Sequence, residues 1–554
     1  MKSTLLGSSF NGFFKEKNLK SASSSVRFGR VDRSHKVLEM SLNKWGKLFY
    51  DSGILIILVL AFFLRLLAFP FSDTVDSDAV SRVFMAHNWA NNPEFISHGT
   101  WLPFHQYFNG ILLWVFPSIT ITPIILNIVL ATATVWAVYH FSALLFERKY
   151  AWFPALLLAV SPIFFRNSLM AMAEIPGLCF AAFGLLFVMR SIKNQSLKDA
   201  VIAALFMTVS NGFRYESWVI SGLLFVILLL FRQYRTAPIY ALIAVAFPAF
   251  WILGNYLEDG NYMAGIEGAN YFNLVLAGVN EGVTFSDRIS RLLFYPYSLS
   301  LSTGGWVIPL LLIALYRKGK TLSREHWVWA IPFVFMFILV TYKAIDGTLL
   351  LQHRFSSTLL LLLLPFTALI PTLFENRRPA LFMLAVAALS MLPLSHHMSR
   401  YNVERWFSLA PKLEKSFGSV RYFRQDQAEA VPRLKDERPR EIVNQLRSSG
   451  GKEYALILDF TGWQETYYVA LNVGVDPGQI MILPGAKNEE INWVRVEQFL
   501  KRTQGLPGVI LVKDGSSFDQ YLDENGAIRD LMLVGPAYDS LDNLTIRSFK
   551  KLQI

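Results

Sequence analysis

From about residue 53 to residue 395 the chain is a succession of apolar runs parted only by short polar or charged breaks. Such a segment has too little polar surface to fold as one aqueous globule, whereas helices in hydrocarbon satisfy all their backbone groups internally. Over the whole chain 53% of residues are hydrophobic and 17% charged, with a mean hydropathy of +0.36; soluble domains carry about 25% charged residues. The chain is therefore read as a multi-pass membrane protein.

Eleven spans are predicted, at about 53–71, 121–145, 151–165, 177–190, 199–213, 217–231, 237–255, 304–316, 327–342, 356–374 and 379–395. Several fall short of the ~20 residues that cross a bilayer, so they must draw on neighbouring residues or end against a cavity. Residues 1–52 lack a sustained apolar core and read as a basic cytoplasmic tail, with Gly53–Phe69 as signal-anchor. Placing that tail inside makes alternate loops basic: Arg148-Lys149, Arg190/Lys193/Lys198, Arg232/Arg235, Arg317/Lys318/Lys320/Arg324 and Arg377-Arg378. The opposite loops hold most of the acids, among them Asp73, Asp76, Asp78, Glu174, Glu216, Glu267 and Asp346. The net charge of +11 is thus that of loops facing anionic lipid, and no nucleic-acid partner is expected. One cysteine, Cys179, lies in an apolar run, which excludes an internal disulfide framework and argues against a thiol catalyst.

Two outer loops are long, 72–120 and 256–303, and FNGILLWVF (Phe108–Phe116) is too short to cross and should lie in the interface. An odd span count puts residues 396–554 outside. There, after a charged linker (396–445), strand-like runs at 455–460, 479–484, 509–514 and 531–536 alternate with helical stretches near 463–472, 490–503 and 516–524. That alternation predicts a soluble α/β domain with a mainly parallel sheet. It carries no phosphate-loop pattern and reads as a positioning or interaction module.

Ionisable residues at membrane depth cost about 2.5–3.5 kcal/mol each on insertion scales, so their positions carry information. Asp76-Ser77-Asp78 follows the first span, Arg166 and Glu174 flank the third-to-fourth turn, Arg214-Tyr215-Glu216 interrupts a long apolar run, and His353-Arg354 precedes the tenth span. By loop parity all fall on the outer face. A carboxylate there can take a proton from an acceptor hydroxyl, while guanidinium groups hold a leaving phosphate. The plainer alternatives are a solvated turn at the aspartates, an Arg214–Glu216 pair, and a snorkelling Arg354.

In order and topology these features resemble the GT-C superfamily of membrane glycosyltransferases, nearest the protein O-mannosyltransferase and aminoarabinose-transferase group. The resemblance covers roughly residues 53–395. It is carried by DTVDSDAVSR (Asp73–Arg82), LPFHQYFNGILLWVF, SPIFFRNSLMAMAEIPG (Ser161–Gly177) and QHRFSSTLLLLLLP (Gln352–Pro365). It implies that Asp78 or Asp76 is the general base, with Asp78 preferred, although Val80 and Ser81 stand where some members have aromatics. Glu174 falls where relatives often carry a second acid, and Arg354 matches a late Arg-aromatic signature. Arg214 and Glu216, inferred from membrane depth, join Arg354, His353, Glu174 and Arg166 as the donor-binding set.

The expected activity is inverting transfer of a sugar from a polyprenyl-phosphate lipid to a protein, lipid or glycan acceptor. Asp76 and Asp78 could hold Mg²⁺ or Mn²⁺. A disulfide-free outer domain and basic tail suit a bacterial inner membrane, with the endoplasmic reticulum membrane as alternative. Rival activities are transport or flipping of a lipid-linked substrate, disfavoured by the lack of an internal repeat, and glycan polymerisation or ligation.

Overall fold

The computed structural model describes residues 53–72, 77–276, 279–280, 282–374, 378–400 and, with short interruptions, 437–551. The basic tail, Asp73, Asp76 and most of the linker lie outside the described residues. In chain order the principal helices, besides a short one at Ala264–Tyr271, are α1 (Gly53–Phe71), α2 (Ser77–Asn91), α3 (Phe104–Val115), α4 (Thr122–Leu145), α5 (Trp152–Val160), α6 (Pro162–Ser168), α7 (Glu174–Asn194), α8 (Leu197–Asn211), α9 (Tyr215–Leu230), α10 (Thr236–Asp259), α11 (Phe285–Ser302), α12 (Val307–Thr321), α13 (Arg324–Asp346), α14 (His353–Thr372) and α15 (Arg378–Ser399).

Among the described residues seven of these, α1, α4, α7, α10, α13, α14 and α15, are long and apolar enough to cross a membrane. The pair α11 and α12, bent by 96° at its break, makes eight if counted as one span. The count of eleven is not reproduced. Expected spans 151–165, 199–213, 217–231 and 304–316 fall on the shorter helices α5 with α6, α8, α9 and α12.

The break between α5 and α6 has a clear cause. Pro162 has no N–H to continue the ladder, so carbonyls at the end of α5 lose their helical donors. Side chains supply them: Arg65 Nη1 of α1 donates to the Ala159 carbonyl at 3.0 Å, and Ser395 Oγ of α15 to that of Val160 at 2.7 Å. Arg65, fully buried, also donates to Ser168 Oγ at 2.8 Å and lies 4.9 Å from the Phe165 ring centre. A charge that looks costly in the sequence thus closes a broken helix.

Helix α3 buries His105, Gln106 and Asn109 and exposes Ile111, Trp114 and Val115. This reverses the polarity of a soluble surface helix and suits an outer face in contact with lipid. Among the described residues the loops near 195, 233 and 325 meet at one end of the bundle, where Lys193 pairs with Glu325 at 2.7 Å and Gln233 donates to Gln195 at 2.9 Å. The other end collects α2, α3, the N-termini of α7 and α9, and the start of α14.

Beyond the membrane helices come α16 (Glu437–Gly450), α17 (Trp493–Arg502) and a sheet of β1 (Ala455–Leu458), β2 (Ile480–Ile482), β3 (Gly508–Lys513), β4 (Ala527–Ile528), β5 (Met532–Leu541) and β6 (Leu544–Lys551). Its order is β2-β1-β3-β6-β5-β4. Two pairings are parallel, β1 with β2 and β1 with β3. The other half, β3–β6, β6–β5 and β5–β4, is antiparallel, so the sheet is mixed rather than mainly parallel. The reason is β6, LTIRSFKK, joined to β5 by only Asp542-Asn543; so short a connection returns the chain antiparallel. Alternate strand residues face two layers. Leu456, Leu458, Val509 and Leu511 pack with Ile442 and Leu446 of α16, and Ile457, Ile510 and Val512 with Val496 and Phe499 of α17. Phe84 of α2 belongs to the first of these cores.

Candidate active site

Five of the ionisable residues singled out in the sequence meet at one end of the bundle. Arg354 Nη2 donates to Asp78 Oδ2 at 2.6 Å, and Arg354 Nε lies 3.7 Å from Glu174 Oε1. The same Glu174 oxygen accepts from Arg214 Nη1 at 3.0 Å. Arg214 grips Glu216 through Nη2 at 2.6 Å and Nε at 3.1 Å. The result is a chain of alternating charges, Asp78–Arg354–Glu174–Arg214–Glu216, drawn from four separate segments. Pairing and extra hydrogen bonds are what make such partly buried charges tolerable.

Local structure sets each position. Glu174 opens α7, where the helix dipole favours a carboxylate. Arg214 precedes α9 in an extended conformation, and Arg354 stands in the first turn of α14. Gly177 is required for this: a Cβ there would come 2.8 Å from Arg214 Cγ, so the arginine stem lies directly on α7. The Phe355 ring faces both guanidiniums, 5.3 Å from Arg214 and 5.2 Å from Arg354.

Exposure separates the three carboxylates. The Glu174 side chain is 5% exposed, Glu216 24% and Asp78 34%. Asp78 is therefore the carboxylate most open to an incoming group. A small cavity beside the cluster is lined by Glu174, Arg214 and Arg354 together with Leu178, Ile220 and Phe355.

The remaining candidates lie elsewhere or outside. His353 stacks on Phe294 of α11 with ring centres 4.8 Å apart. Arg166 is buried in α6 and donates to Asn167 Oδ1 at 3.4 Å. Asp76 is outside the described residues. Among the described residues no three His, Cys, Asp or Glu side chains are grouped to hold a metal, and the carboxylate oxygen of Asp78 faces a guanidinium. Of the two aspartates considered as Mg²⁺ or Mn²⁺ ligands, only Asp78 is among the described residues.

Two residues near the cluster escaped the sequence reading. Arg82 follows Asp78 by one helical turn, lies 4.3 Å over the Trp101 ring, and is buried. Burial lowers its pKa to about 10 against the raising influence of Glu174 and Asp78. The i, i+4 spacing from Asp78 was the available signal. His105 of α3 is likewise buried, which pushes its pKa down to about 3 and keeps the ring neutral; nothing in the sequence distinguished it from a surface histidine.

Residues 97–253 match a family model described as dolichyl-phosphate-mannose-protein mannosyltransferase. No curated protein matches the chain by sequence. The crystal structure of ArnT from Cupriavidus metallidurans bound to undecaprenyl phosphate is similar, with 12% identity, a TM-score of 0.54, and coverage of 89% of this chain and 97% of that one. The same protein in the apo state gives 11% identity, a TM-score of 0.53 and coverage of 90% and 98%. The Archaeoglobus fulgidus oligosaccharyltransferase in the apo form follows at 13% identity, a TM-score of 0.43 and coverage of 85% and 70%. Matched segment and shared ArnT fold agree with the resemblance drawn from the sequence: this multi-pass membrane chain is similar to the GT-C superfamily of membrane glycosyltransferases.

Proposed function

We propose that the protein is a membrane glycosyltransferase that takes a sugar from a polyprenyl-phosphate lipid and passes it to an acceptor hydroxyl at the outer membrane face. The observation that carries this reading is the chain of charges at one end of the bundle, in which Asp78, the most open of the three carboxylates, pairs with Arg354, and Glu174 links Arg354 to Arg214. Asp78 takes the hydroxyl proton, the oxygen forms a bond to the anomeric carbon, and the bond from that carbon to the phosphate oxygen breaks with inversion. Polyprenyl phosphate leaves with the electron pair, and Arg354 and Arg214 carry its charge. Glu174 bridges the two guanidiniums and fixes their spacing.

The undecaprenyl phosphate held by the ArnT relative supports a lipid carrier. The basic loops at the opposite end support an outward site by the positive-inside rule. The test is to give the purified, reconstituted protein a short-chain polyprenyl-phosphate sugar with candidate acceptors and follow polyprenyl phosphate by mass spectrometry. Donor that crosses the bilayer intact, with none cleaved, would replace this reading with that of a flippase.

A further inference from the structure

Helix α2 carries Asp78 but is not a membrane span, so packing alone fixes it. Several of its faces are engaged. Asp78 and Arg82 face the charged cluster, and Ala79 and Val83 pack on Met170 and Met172 in the turn before α7. Ala86 and Trp89 meet α3 at Gly110, where a Cβ would come 2.4 Å from the Trp89 ring. The next face meets the soluble domain. Phe84, 8% exposed, is part of the sheet core with Leu456, Val475 and Ile480, and His87 Nε2 lies 3.7 Å from Asp476 Oδ2.

Resting on the function proposed above, we infer that the soluble domain is a clamp on the base-carrying helix, with Phe84 as the positioning residue that holds Asp78 at Arg354. Phe84 is six residues beyond Asp78, about 9 Å along the axis at 1.5 Å per residue. Within one helix of 15 residues, a shift at Phe84 carries through to the carboxylate. The apolar ring buried in a β-sheet core resists that shift in a way a surface contact would not. The domain therefore acts on the chemical step without touching the reacting atoms.

The test uses the full chain in nanodiscs at saturating donor. Phe84→Ala should lower kcat on the order of 10–100-fold, the scale of an ångström-size misplacement. Donor KM and polyprenyl-phosphate binding should stay within about twofold, since Arg354 and Arg214 are held from other helices. Phe84→Leu, which refills most of the volume, should recover most of kcat. A purely structural Phe84 would instead lower the folded fraction and leave kcat per folded molecule unchanged, which overturns the inference. Should Phe84→Ala not fold, the paired variant His87→Cys and Asp476→Cys, bridged by a short bis-maleimide, decides. Turnover that survives bridging supports the clamp; turnover lost on bridging but kept in the singly modified variants overturns it. A wild type that transfers no sugar would remove the functional reading and the clamp together, whereas a transferring wild type matched by Phe84→Ala would remove the clamp alone.

Discussion

Asp78→Asn separates two roles that the 2.6 Å contact with Arg354 leaves combined. The substitution keeps size and shape but removes both the charge and the capacity to accept a proton. If Asp78 is the base, kcat falls by about 10²–10⁴-fold, which is roughly 3–5 kcal/mol of barrier at 1.36 kcal/mol per factor of ten. If Asp78 only holds Arg354, what is lost is one ion pair whose carboxylate is a third exposed. Such a pair contributes about 1 kcal/mol or less, or roughly a fivefold change, and it should show in donor affinity because Arg354 is the residue proposed to hold the donor phosphate. The two effects differ in size by one to three orders of magnitude and in the parameter they move. Initial rates of sugar transfer should be measured at saturating donor, so that a KM change is not taken for chemistry. A drop in kcat below about fivefold would refute the base assignment. Asp76→Asn is the companion variant: a larger loss there moves the base by two residues, and full activity in the double variant ends the catalytic reading of the motif.

Three further outcomes are expected. Glu174→Ala leaves Arg214 with Glu216 and Arg354 with Asp78, so its cost should lie below the ~3–5 kcal/mol of a fully broken buried pair. Earlier labelling of the buried Cys179 by a thiol dye on heating would report it, and an unchanged transition would count against the bridging role. Arg354→Ala should raise donor KM on the order of tenfold, from a lost charge-assisted hydrogen bond, with Arg354→Lys recovering only part because an ammonium cannot grip phosphate bidentately; wild-type KM in both would return Arg354 to an interfacial role. Reporters fused after residues 149, 195, 235, 320 and 378 should face the cytoplasm and those after 90, 280 and 450 the outside, and a cytoplasmic signal at 450 would invert the proposed orientation.

The membrane character was legible in the sequence because hydrocarbon imposes one requirement, long apolar helices, that composition records directly. Loop parity was legible for a similar reason. It grouped Asp78, Glu174, Arg214, Glu216 and Arg354 on one face although they span 276 residues in separation, and the structure brings these five together. His353 and Arg166 shared that face, but parity assigns an end of the bundle and not a direction of approach, so their stacking on Phe294 and burial in α6 could not be read.

What tertiary structure alone decided are the pairings. The choice of Arg354 for Asp78, and of Glu174 as the acid between two arginines, depends on helices meeting across the bundle. Spans 151–165 and 304–316 look like crossings by hydropathy, yet Pro162 breaks the first and a 96° bend separates the second from α11. The first break survives because the distant side chains of Arg65 and Ser395 satisfy the freed carbonyls, a fact with no local signal. The same holds for the sheet. Local alternation predicted the runs that become β1, β2, β3 and the start of β5 in a mainly parallel sheet, whereas β6 enters between β3 and β5 and makes that half antiparallel. Apolar periodicity and charge placement determine which segments are helices and which end they present, because both act along the chain; partner choice is set by packing between segments far apart in it.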